Sequence, residues 1–440
     1  MKAGLARIDI TPSGPVWMDG MLRAHKSMGV HDPIFAKALV LSSGSQISDA
    51  FAIVSLDICT LPLALGQEIR DQVATQIGIP CDRIILAATH THSGPAIVGI
   101  FNPRADAYVK DLPAKIVALI KKAVAAMEPA AVGCASGQEA TVSHYRRLMA
   151  DDGHVVMNWE PWPTERIVRT LGVIDPELGV MKIVSADAAA KPLGLLFNHA
   201  GHPNVLSGDN YLIAPDYPGR AESLLEQEYG GTALFINGAQ GTMDIDGLKD
   251  RDWAGVERIG HALADAVLDT ARTIVPRPES VLHVDACRYT IPARKISKQE
   301  KEWAEAIIQQ TGGAVKPVAD GIGDDYKAKL FLDLLKIQHQ DVPMEQICLA
   351  MDDYAFLSFP GELFTEIGMR IKAASPFRHT YILGLANDCI CYVPTRQAIQ
   401  EGGYAVAVRR VDDSAEDIVM EQSLALLRRV HGKSQIKNDK

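Results

Sequence analysis

The chain has 440 residues, 47% of them hydrophobic and 22% charged, close to ordinary globular composition, so a sizeable core is available and wholesale disorder is excluded. Against 44 Lys and Arg stand 54 Asp and Glu, a net charge of −10, which offers no general attraction to phosphate backbones or anionic membranes and sets nucleic acid aside as a partner. Length alone allows two or three lobes or one large α/β domain.

In chain order, Arg7 and Asp9 interrupt the opening MKAGLARIDITP before any apolar leader core, so no secretory signal is expected. The most apolar stretch, FAIVSLDICTLPLALG, is broken by Asp57 and is not read as a membrane span, so no stable membrane insertion is expected. Seven scattered cysteines, of which only Cys389 and Cys391 lie close together, fit reduced thiols and a cytoplasmic location. FAKALVLSS, FAIVSLDI and IILAAT read as buried strands, and LALGQEIRDQVATQIG and ADAYVKDLPAKIVALIKKAVAAM as helices. From about Ala140 to Pro176 no period is sustained, which predicts a long loop region that walls a site.

Strands resume at GVMKIVSA, PLGLLFNHA and ALFING, with helices at YPGRAESLLEQEYGG and DWAGVERIGHALADAVLDTART. VLHVDACRYTIPA reads as a strand, and the charged helical segments KQEKEWAEAIIQQ and DYKAKLFLDLLKIQ make residues 295–340 an inserted or peripheral lobe. YAFLSFP and HTYILGLA are strands; LFTEIGMRIKAA and AEDIVMEQSLALLRRVHG are helices. The alternation predicts an α/β fold with mixed sheets covered by helices.

Chemistry-bearing residues gather where strands end. In ATHTHSGP, His90 and His92 follow IILAA; if strand geometry persists through Thr91, both project from one face, as two metal ligands or as one ligand and a neighbouring donor. LLFNHAGHPNVL places His199 and His202 after another strand. AGHP is poor helix material, so only one of the pair is expected to coordinate, and His202 is the choice. FPGELF puts Glu362 at an expected helix start, and GLANDCICYVPT with EGGYAV supplies Tyr392 and Tyr404. Ligands of open α/β sheets gather outside the carboxyl ends of strands, so these clusters are expected to converge.

Together these motifs resemble the neutral, non-lysosomal ceramidases and their bacterial relatives, a family of zinc-dependent amide hydrolases. The resemblance covers most of the chain: ARIDITP, GVHDPIFAKALVL, ATHTHSGP, YRRLMADDGHVVMN, NHAGHPNVL, APDYPGRA, FPGELF and NDCICYVPT. It implies one catalytic domain over 1–440, with Zn2+ held by His90, His202, Glu362 and Tyr392. It further implies that His92, Arg146 or the adjacent Arg147, and Tyr404 stabilise the oxyanion. Where the family carries Gly-Asp-x-Ser-Pro, this chain reads NGAQGTMDID, so Thr242 falls on the aspartate and Asp244 on the serine, and Asp244 is a candidate base. Asp57 and Asp216 are candidates to orient a ligand histidine.

Secreted members of the family add a signal peptide and a C-terminal β-sandwich domain, and neither is read here. The expected substrate is therefore a small, soluble N-acyl amide rather than a membrane ceramide, cleaved by a zinc-activated water. Two other readings remain: a binuclear amidohydrolase barrel, with Asp388 as base, and a binding protein that retains a metal site. Nothing in the sequence sets the oligomeric state.

Overall fold

The computed structural model of the chain describes residues 1–99, 101–245, 251–318 and 321–435. Strands Phe35–Ser42, Phe51–Leu56 and Ile84–Ala88 are almost wholly buried, which is why they read as continuous apolar runs. The two-residue alternation survives in what each side chain touches. Ala52, Val54, Leu56, Ile84, Leu86 and Ala88 pack beneath helices Leu63–Gln76 and Asp106–Ala125. Phe51, Ile53, Ile85 and Ala87 point the other way, into a core between two sheets.

The larger sheet has eight strands, in the order Thr232–Asn237, Pro192–His199, Glu177–Ser185, Glu128–Gln138, Lys2–Asp9, Phe35–Ser42, Phe51–Leu56 and Ile84–Ala88. Its inner neighbours are antiparallel and its two outermost pairs are parallel. A second sheet of four strands, Leu282–Ile291, Val342–Met351, Tyr354–Ser358 and His379–Leu383, shares the inter-sheet core through Ile347, Leu349, Phe356 and Tyr381. Helices Asp216–Glu228 and Trp253–Arg272 cover the rest of the large sheet's outer face. Thr365–Ala374 and Ala415–Gln435 cover the small sheet. Four layers result, helix, sheet, sheet and helix, in agreement with the expected mixed sheets covered by helices. Neither sheet closes on itself, so the barrel alternative fails on topology.

Differences from expectation have local causes. The stretch read as a loop holds strands His144–Tyr145, Arg147–Ala150, Val155–Met157 and Ile167–Thr170, each too short to display a period. Glu128–Gln138 was not expected as a strand, because EPAAVGCASGQ is poor in β-branched residues; pairing on both sides holds it there. Lys2–Asp9 and Val342–Met351 were likewise unassigned. The helices expected in 295–340 are present as Lys298–Thr311 and Asp324–Ile337, packed together through Ala304, Ala328, Phe331 and Leu334; residues 319–320 lie outside the described residues. Ser297 and Glu300 form a reciprocal capping box at the first. Among the described residues, no helix is long and apolar enough to cross a membrane.

At the edge strand Ile84–Ala88, open backbone groups are closed by a segment from the other sheet. Asn387 donates its N–H to the Leu86 carbonyl (2.8 Å), accepts from the Leu86 N–H through Oδ1 (2.8 Å) and donates Nδ2 to the Ile84 carbonyl (3.1 Å). Its φ of +66° is a left-handed conformation that asparagine tolerates better than most residues. Asn387→Ala leaves a buried N–H and carbonyl without side-chain partners, and is expected to cost about 2 to 4 kcal/mol in a urea unfolding titration. A loss below about 1 kcal/mol would show that the stitch contributes little.

Candidate metal centre and its cavity

Four strands end toward residues that line one cavity of about 630 Å³, and a fifth toward a main-chain support of its arginine. Ile84–Ala88 leads to His90 and His92, and Pro192–His199 to His202; Thr232–Asn237 leads to Gly241, Tyr354–Ser358 to Glu362 and His379–Leu383 toward Tyr392. His90, His92, His202, Glu362, Tyr392, Tyr404 and Arg146 all line the cavity. Strand geometry does not persist to Thr91: the strand stops at Ala88, and His90 has φ +77°. The two histidines meet through this turn instead. Glu362 also differs from expectation. It lies in a two-residue strand paired in register with Tyr392, before a helix that begins at Thr365. That register sets the carboxylate and the phenol side by side.

The imidazoles of His90, His92 and His202 form a mutually perpendicular trio, with ring centroids 4.6 to 5.0 Å apart. His90 Nδ1 lies 2.7 Å from the Cys59 carbonyl, which leaves Nε2 aimed at Glu362 Oε2, 3.5 Å away. One ligand atom each from His90, His202 and Glu362 lies within 4.8 Å of the others, an arrangement that could hold a metal ion. Cys59, His90 and His92 form an overlapping group. Burial pushes the Cys59 thiol well up, which disfavours the thiolate that a metal needs. Burial, and then the neighbouring His90, hold His92 and His202 well below the usual histidine range, in the neutral form that ligates or donates. For Glu362, burial works against ionisation, but His90, Arg146 and the Tyr392 hydroxyl outweigh it and hold the carboxyl below its usual range.

Supports for these groups come largely from main chain. His92 N donates to the Pro203 carbonyl (3.1 Å), tying both histidine segments together. Asn237, which the sequence reading passed over, accepts from Gly201 N (3.3 Å) and donates to Gly201 O (2.8 Å) beside His202. Gly20 has φ +87°, and a Cβ there would fall 2.3 Å from the His92 ring, so only glycine fits. Among the described residues, neither Asp57 nor Asp216 is hydrogen-bonded to a histidine. Asp57 accepts from Phe35 N within a buried group with Lys37 and Glu222. Asp216 is not an N-cap; it accepts from Leu206 N (3.2 Å) and Tyr217 N (2.8 Å), bracing the segment after His202. His199 turns away, its Nε2 3.2 Å from the Glu139 carbonyl.

Of the two candidate arginines, Arg146 faces the cavity, over the rings of Tyr392 (5.1 Å) and Trp159 (5.4 Å), and donates to the Gly241 carbonyl (2.7 Å). Arg147 pairs instead with Glu401. Burial opposes the Arg146 charge, but Tyr392, Asp244 and Glu362 outweigh it and raise its pKa. Thr242 and Asp244 are fully buried and do not line the cavity. Thr242 Oγ1 accepts from Thr365 N and donates to Glu366, at the start of the Thr365–Ala374 helix. Asp244 lies 3.8 Å from Arg251 and within electrostatic reach of Arg146. The sequence reading also missed Asp19. Its Oδ2 accepts from Ile97 and Val98 N–H while its buried Oδ1 has no partner among the described residues, and burial raises its carboxyl to about 6.

A family model described as neutral/alkaline non-lysosomal ceramidase, N-terminal, matches residues 1–244. The neutral ceramidase of Pseudomonas aeruginosa is 25% identical over 250 residues, 53% of this chain and 35% of that protein, so the match spans about a third of the relative's length. The crystal structure of neutral ceramidase from Pseudomonas aeruginosa superimposes with a TM-score of 0.72 at 18% identity, covering 97% of this chain and 74% of that one. A structure of ceramidase complexed with C2 gives 0.74 at 18%, covering 98% and 75%. At that identity the likeness is one of fold.

Asp244→Ala removes a buried acid beside two guanidinium groups and is expected to lower stability by about 3 kcal/mol, with Asp244→Asn less damaging. Chemical denaturation measures both, and wild-type midpoints would show that the carboxylate offsets no buried charge.

Proposed function

The chain belongs to the neutral/alkaline non-lysosomal ceramidase family, and from that premise we propose that it is a zinc-dependent hydrolase of the C–N bond in a small, soluble N-acyl amide. The observation that carries this reading is the convergence of His90, His202 and Glu362 in one cavity, with Tyr392 in register beside Glu362. Two imidazoles, a carboxylate and a phenol are nitrogen and oxygen donors of the kind zinc takes. The unpartnered, buried Nδ1 of His202 and the Cys59 carbonyl on His90 Nδ1 leave each ring free to offer one nitrogen to the ion. When bound, zinc supplies Lewis acidity and brings the pKa of water toward about 7.

The chain's own side chains do the rest. His92, neutral and in the same cavity, donates a hydrogen bond to the carbonyl oxygen of the scissile amide. Arg146, held charged by Asp244 and Glu362, and Tyr404, kept protonated by burial, add donors where negative charge develops. Such groups are effective because they are already oriented: the Arg146 guanidinium is fixed by Gly241 O and by two aromatic faces. In this reading Asp244 is a charge partner of Arg146 and Thr242 a brace for the Thr365–Ala374 helix. The apolar side of the cavity, formed by Tyr326, Leu330, Leu334 and Ile337 of the Asp324–Ile337 helix, receives the acyl part.

Elemental analysis of freshly purified protein is expected to find about one zinc per chain, lost on His202→Ala and retained on His199→Ala. Full zinc content in His202→Ala would remove that residue from the site. His92→Ala is expected to keep the metal while cleavage of N-acyl amides falls roughly 100- to 1,000-fold. An unchanged rate would take His92 out of the mechanism.

A further inference from the structure

The charged side chains of the cavity wall are matched almost one by one. Asp333 pairs with both Lys329 and Lys336, and Glu362 with His90. Arg146 has a carbonyl, two ring faces and two acids. Arg410 is different. It lines the same cavity, yet among the described residues its side chain has no hydrogen bond and no ion pair, and its Nε is buried without a partner. The acid within its electrostatic reach is Asp388. That carboxylate is engaged elsewhere: its Oδ1 accepts from the N–H groups of Leu63 and Cys389.

A guanidinium with a buried Nε that no protein group accepts from leaves a hydrogen bond unmade, which a bound acceptor would complete. Its fork of donors matches a carboxylate in two parallel hydrogen bonds. Tyr326, Leu330, Leu334 and Ile337 line the same cavity, so it offers apolar surface for a hydrocarbon chain together with this unmatched positive charge. We infer that Arg410 is a specificity-determining residue that binds an anionic group on the amine part of the substrate, so that the preferred substrates are N-acyl amino acids or similarly small amides whose amine part ends in a carboxylate. This rests on the amide-hydrolase reading above and narrows it to a substrate class.

The test uses the zinc-loaded protein with a matched pair, N-decanoylglycine and N-decanoylethanolamine. It adds the corresponding uncleavable ketones, in which a methylene replaces the amide nitrogen. Wild type is expected to favour the carboxylate amide about tenfold or more in kcat/KM, and the acidic ketone by a similar factor in calorimetric Kd. Both preferences should collapse in Arg410→Met, return in part in Arg410→Lys, and invert in Arg410→Glu. Because each readout is a ratio between two ligands on one protein, a partly unfolded variant lowers both members and leaves the ratio informative. Equal treatment of acid and alcohol by the wild type, or a preference that Arg410→Met leaves intact, overturns the inference while amide cleavage stands. Cleavage of neither amide, with an Arg410-dependent preference for the acidic ketone, keeps the anion subsite and retires the hydrolase reading.

Discussion

The site depends on two sheets packed face to face. Alternate residues of strands such as Phe51–Leu56 and Ile84–Ala88 serve the inter-sheet core, and the others serve the outer helices. Sliding either strand by one residue would therefore exchange both sets at once. That constraint fixes where each strand stops. The stops are where His90, His92, His202, Glu362 and Tyr392 emerge. Donors from segments as far apart in sequence as His90 and Tyr392 share a cavity because the layers beneath them cannot slip.

Burial at the centre of such a stack makes every charge expensive. Charge is handled there by dense local compensation, with Arg146 set among Tyr392, Asp244 and Glu362, and Lys37 between Glu222 and Glu226. His92 and His202 are instead held neutral by the same desolvation. The surroundings thus select protonation states suited to ligation and hydrogen-bond donation before any ligand arrives.

Much of this was legible in the sequence, because a histidine pair after an apolar run reports both a strand and its end. The poor helicity of AGHP indicated that only one of His199 and His202 would coordinate, and of the two His202 faces the cavity while His199 turns to the Glu139 carbonyl. Other features had no such signature. The left-handed turn at His90 and the parallel pairing of Glu362 with Tyr392 depend on tertiary contacts that no local period encodes. Asp19, Asn237 and Arg410 are single polar residues in ordinary surroundings, and their importance lies in what each side chain meets or fails to meet. Asp57 and Asp216, plausible as partners of histidine, were taken up by backbone N–H groups nearer to hand.

The Asp324–Ile337 helix contributes a wall of the cavity but none of the His90, His202 and Glu362 donor group. It packs largely on its neighbour Lys298–Thr311. The parts of the cavity that a ligand's chain would touch are therefore carried largely by a different element from those that hold the donor group, although Leu330 also meets the cluster that contains Tyr392. Changes in residues such as Leu330 and Leu334 alter the shape presented to a ligand while the strand ends keep their registers, and energetic effects at such separated places tend to add rather than interact. A scaffold divided in this way lets new specificities be tried one side chain at a time, without rebuilding the reactive centre for each.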